Sequence, residues 1–270
     1  MQSRMQEILG PPFEPVALLF SQEKPEKALQ FKEGRFGCVM FAFANAAKGR
    51  TAAFDRNTYG CWGGGVGLGF GNTYKQFPGG EEGFKHFLSS GNKDWEEGKN
   101  IAENMRQSGA DEHFLDDFLE GERYCRGPEE VGGFIDELPI QEVPATYVLF
   151  KPLSQVKESE DPKVITFTVN AEQLSAMVVL ANFARPGIDN VRIPFAAGCQ
   201  SIGLLPLEED KRENPRAVVG LTDISARANV KKLLGRDVLS FSMPLSLFRE
   251  MEDNVSESFL HRPVWQGLVS

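Results

Sequence analysis

Apolar and polar positions alternate in recognisable blocks along the chain. PVALLF (15–20) is a short continuous apolar run, the pattern of a buried strand, and ALQFK (28–32) reads as a second strand. CVMFAFANAAK (38–48) is rich in Ala and Phe and is closed by Gly49, which predicts a helix ending on a glycine cap. TAAFD (51–55) predicts a short strand leading into YGCWGGGVGLGFG (59–71), read as a loop. Between 80 and 138 the spacing changes. FKHFL, IAENM and EHFLDDFLEG carry helical spacing, broken by SSG and QSG, and predict three or four short amphipathic helices. Strands return at 145–151 and 164–169, followed by a helix at 171–185 and a strand at 190–195 that runs into AAGCQSIG.

The second half echoes the first. ANAAKG (44–49) resembles ANFARPG (181–187), and the spacing from Gly49 to Cys61 equals that from Gly187 to Cys199, 12 residues in each case. A third echo pairs VITFTVNAEQLSAM (164–177) with VLSFSMPLSLFREM (238–251). The expected fold is α+β, a pseudo-duplicated ββαβ core with a helical insertion, in a single domain over 1–270. Repeat one spans 14–71, the insertion 72–138, repeat two 144–206, and a C-terminal strand–helix part 215–270. A two-fold relation between the repeats would bring Cys61 and Cys199 to one site.

Composition narrows the functional classes. The formal net charge of −9, with no basic stripe, predicts no nucleic-acid partner and no anionic membrane surface. No apolar run reaches the roughly 18 residues of a membrane span. MQSRMQEILGPPFEPVALLF lacks a secretory-leader pattern, so the four cysteines are expected to be reduced thiols in the cytoplasm. Oligomeric state is left open.

The glycine-rich stretch first suggests a phosphate cradle, but its register fits no GxGxxG and no Gly-Lys-Ser/Thr follows it. Glycines there for tight packing are the plainer reading. Each cysteine lies within two residues of a glycine: GCV at Cys38, GCW at Cys61, CRG at Cys125 and GCQ at Cys199. Small neighbours let backbone N–H groups approach a ligating sulfur, so an iron–sulfur cluster or another metal held by Cys38, Cys61, Cys199 and Cys125 is expected. Space-filling core cysteines are the competing reading. A Cys61 nucleophile would need a base from His86, His113 or His261. The acidic run 111–120 reads as a solvated helix face, and Asp223 in GLTDISAR as a helix cap. Asn45 and Asn182, near-equivalent in apolar helices, need buried partners.

EPVALLF, the Cys38 segment, GCWGGGVGLGFG, PGGEEGFKHFLSSG, AAGCQSIG, GLTDISAR and VLSFSMPLSLFREM together resemble the domain-of-unknown-function 169 family, uncharacterised ArCR. The resemblance covers nearly the whole chain, its cysteine-plus-glycine segments match Cys38, Cys61 and Cys199, and it implies no catalytic residues. Two functions are expected. One is a cysteine-centred metal or iron–sulfur protein, redox or accessory in role. The alternative is a small-molecule-binding protein or enzyme with a pocket between the repeats, lined by Gly63, Gly64, Gly65, Asn45 and Asn182. A third, an interaction protein docking through the insertion, is also open.

Overall fold

The computed structural model describes residues 1–269. The chain packs as two compact units, one of residues 72–140 and one of everything before and after them. In the larger unit come α1 (Arg4–Leu9), β1 (Val16–Ser21), α2 (Val39–Ala46), β2 (Ala52–Phe54) and α3 (Trp62–Leu68). The smaller unit holds α4 (Gly80–Leu88), α5 (Glu96–Gln107), α6 (Glu112–Glu120) and α7 (Pro128–Glu137). The larger unit then continues with β3 (Tyr147–Pro152), β4 (Pro162–Val169), α8 (Ala171–Asn182), β5 (Val191–Arg192), α9 (Gly198–Ile202) and α10 (Leu204–Glu209). It closes with β6 (Ala217–Gly220), α11 (Ile224–Leu234), β7 (Leu239–Pro244), α12 (Leu245–Asn254) and α13 (Pro263–Val269). The class is α+β.

The strands form one mixed sheet in the order β2-β3-β1-β4-β7-β6-β5, antiparallel throughout except for β5 beside β6. Strand geometry sends successive side chains to opposite faces. In β1, Ala17 and Leu19 join a core with α1, α8 and α12, while Val16 and Leu18 join a second core with α2, α3, α9 and α11. Leu149 of β3 lies in the first core, and Val148 and Phe150 in the second. Both faces are covered, which is why PVALLF reads as a continuous apolar run rather than an alternating one.

Three expectations change. ALQFK is not a strand: Leu29 alone pairs, in an isolated parallel bridge to Ala52, and the next side chain, Gln30, donates to Asp55 and Thr58 instead. The glycine stretch is not a loop, since Trp62–Leu68 is helical. The duplication as drawn is not confirmed for its helices. It matches β1 with β3, neighbouring antiparallel strands that only a two-fold normal to the sheet exchanges; such an axis would put α2 and α8 on one face, whereas they pack on opposite faces. The third echo is different, because β4–α8 and β7–α12 are each a strand followed by a helix onto the same face.

In the smaller unit, α4 and α6 pack an aromatic core around Phe77, Phe84 and Phe118, with Tyr74 stacked on Phe84 at 4.0 Å. Buried Asn92 donates to the carbonyls of Gly83 and Phe118, joining two segments that sequence patterning leaves unconnected.

Candidate functional site

Cys38, Cys61 and Cys199 each stand at the start of a helix on the second face of the sheet. Cys38 is the N-cap of α2, Cys61 the N-cap of α3, and Cys199 lies in the first turn of α9. Asp223 caps α11 beside them. Its carboxylate accepts from the Ala226 amide (3.1 Å) and the Ser225 hydroxyl (2.8 Å), and its other oxygen accepts from the Gly198 amide (2.9 Å). One side chain therefore satisfies the starts of two helices and ties α11 to α9.

The first turn of α3 joins two of the thiols. The Cys61 sulfur accepts from the Gly64 amide at 3.2 Å, and the Cys199 thiol donates to the Gly63 carbonyl at 3.1 Å. A single peptide group, Gly63–Gly64, thus contacts both sulfurs from its two ends. Bare backbone makes this approach possible. A Cβ on Gly67 would lie 2.7 Å from the Cys199 carbonyl carbon, and one on Gly203 would lie 2.2 Å from the Gly67 oxygen. Gly67 therefore serves close packing of α3 against α9, and Gly64, whose Cβ would meet Val39 at 2.6 Å, serves packing against α2.

Electrostatics bind the group together. Burial pushes the Cys199 thiol well above its usual range, and Cys61, Cys38 and Asp223 push it further, against a small opposing effect of the Gln200 backbone. Burial also raises Cys38, with the backbone of Met40 and Phe41 lowering it and Asp223 adding to the rise. Asp223 raises both of these thiols, so Cys38 and Cys199 favour the protonated form.

Other predicted residues fall elsewhere. Gly64 and Gly65 are buried in α3, as its packing role requires, and Gly63 adjoins Cys199. Asn45 donates to the Phe41 carbonyl and Asn182 to that of Val178, each one turn back in its own helix. Helices α2 and α8 lie on opposite faces, so the two asparagines do not line one pocket. Cys125 belongs to the smaller unit, where burial and then Glu130 raise its thiol. His86 and His113 are in that unit too. His261 follows Leu260, which packs into the core on the sheet face away from Cys61, so it is not placed as a base for that thiol. An open cavity of about 560 Å³ is lined by Gln22, Asp55, Arg56, Asn57 and Thr146 with neighbouring backbone, and not by the glycine stretch.

Sequence reasoning reached Asp223 only as a cap, since its second oxygen on Gly198 depends on tertiary approach. Among the described residues, no group of three or more His, Cys, Asp or Glu side chains is arranged to hold a metal ion, and no helix is long and apolar enough to cross a membrane. A family model described as uncharacterised ArCR, a domain of unknown function, matches residues 4–254. No curated protein and no solved structure matches the chain.

Proposed function

We propose that this chain, which belongs to the domain-of-unknown-function 169 family (uncharacterised ArCR), is a cysteine-centred metal-binding protein of redox or accessory role. The observation that carries the reading is the convergence of Cys38, Cys61 and Cys199, from three distant segments, beside Asp223, with Cys61 and Cys199 bonded to one peptide group. A metal cation would take the place of the thiol protons, and sulfur donors suit a soft one.

The residues fit an ion better than a cluster. Iron–sulfur clusters are ordinarily held by four thiolates, whereas the larger unit supplies three. Ligation by Cys199 gives up its thiol donation to the Gly63 carbonyl, whereas the Gly64 amide can go on donating to a ligating Cys61 sulfur. The small-molecule alternative has weaker support, since the glycines are in helix contacts and the open cavity lies among other residues.

Anaerobic purification of the full chain, followed by copper, zinc, iron and sulfide analysis and thiol titration, tests the reading. The expected result is stoichiometric metal, bound as isolated or after reconstitution, that is lost in both Cys61→Ser and Cys199→Ser. Both variants should keep the wild-type circular dichroism. A metal-free protein that takes up none of these ions while all four thiols titrate would sink it.

A further inference from the structure

Resting on the metal reading above, we infer that the ion is soft and monovalent, Cu(I), and that the Met40 thioether ligates it beside the thiols. Met40 sits in the first turn of α2, two residues after Cys38, and is 1% exposed. Its side chain is directed at the start of α9: the Met40 Cγ and Sδ lie 3.0 and 3.3 Å from where a Cβ on Gly198 would stand. Gly198 immediately precedes Cys199. Met40 and Cys199 belong to one apolar core cluster and Cys38 packs against it, while Cys61 bonds the same Gly63–Gly64 peptide group as Cys199.

The donor set separates the candidate ions. Asp223, the one hard donor here, has both oxygens committed to Gly198, Ser225 and Ala226. What remains is thiol and thioether sulfur, a soft set that takes Cu(I), zinc or an iron–sulfur cluster, so coordination number must decide among them. Zinc favours four ligands in structural sites, and no three-ligand set of His, Cys, Asp and Glu is arranged among the described residues. Cu(I) is satisfied by two or three sulfurs, so a methionine completing a pair of thiols meets its needs without a third ionisable ligand. Each thiol that ligates gives up its proton to solvent, while the thioether ligates without proton release.

The experiment uses the full chain, reduced and anaerobic. Cu(I) is titrated against a chromophoric chelator, and Zn(II) is titrated in parallel. Met40→Leu keeps nearly the same volume and serves as the variant. Cu(I) is expected to bind one per chain, and Met40→Leu to weaken it by about tenfold or more, within the range typical of lost metal-site support. Zn(II) affinity and the melting temperature of the metal-free protein should be unchanged. Copper X-ray absorption on selenomethionine-labelled protein should show a Cu–Se distance that vanishes in Met40→Leu. Equal Cu(I) affinity in the variant, equal losses for Cu(I) and Zn(II), or absence of Cu–Se scattering would overturn the inference. Cysteine-dependent metal binding that ignores Met40 would leave the metal-site reading standing and remove only this step. Loss of all metal binding would remove both.

Discussion

Gly67→Val is expected to destabilise the metal-free protein by roughly 3 kcal/mol, or about 6–12 °C in melting temperature. The reason lies in what the new side chain meets. A Cβ at Gly67 would stand 2.7 Å from the Cys199 carbonyl carbon, 2.9 Å from the Cys199 Cβ and 2.9 Å from the Cys199 oxygen. These atoms are mostly backbone within α9, so no rotamer change relieves the overlap and the helices must part. Alanine at the same position gains about 1 kcal/mol of helix propensity over glycine, which offsets part of the same clash. Gly67→Ala should therefore fall between wild type and valine. Across α3, Gly63, Gly64, Gly65 and Gly67 together cost about 4 kcal/mol of propensity relative to alanine, a penalty close packing must offset. Urea unfolding of the three proteins without metal decides the matter. A Gly67→Val protein as stable as wild type would show that the glycines serve a ligand and not the α3–α9 contact.

That packing explains what the chain disclosed and what it hid. Strands β1, β2 and β4 were legible because local apolar runs suffice to mark them, and α2 because Gly49 turns the chain at φ 95° just beyond it. Helix α3 was hidden, since its glycines contradict local helix propensity and only contact with α9 makes the conformation favourable. The matched spacing before Cys61 and Cys199 pointed to two segments that do touch, at Gly63 and Cys199. The duplication inferred from it is not confirmed, because short segment similarity says nothing about which face of a sheet a helix covers. Asn45 and Asn182 both looked like braces between segments. The Asn45 side chain bonds within its own helix, whereas Asn182 bonds within its helix and also accepts from the Asn190 side chain at 2.8 Å, just before β5.

Glu209→Gln is expected to cost about 2–4 kcal/mol at neutral pH, because it removes the counter-charge of three arginines at once. Glu209 is 1% exposed at the end of α10. Arg216 donates to it through Nε and Nη2, the latter at 2.9 Å, and through its backbone amide at 3.1 Å. Arg192 and Arg212 add contacts at 3.2 and 3.3 Å. The cluster fastens α10 to β5 and to the segment entering β6, next to the region that carries α9. Water still reaches Arg192 and Arg212, which places the expected cost below that of a fully buried pair. Burial alone would raise the pKa of Glu209, but hydrogen bonds and charge from Arg216, with Arg192, hold it below the usual 4.5. A depressed carboxylate contributes stability above its unfolded pKa and loses it as pH falls through the folded value. The deficit of Glu209→Gln should accordingly be full at pH 7 and shrink as pH falls from about 4.5, where the unfolded carboxylate takes up its proton, through the lower folded value. Urea unfolding of both proteins at pH 7 and at successively lower pH reads the difference directly. A deficit that stays constant through that range would mean the arginines hold the α10 end by shape and not by charge.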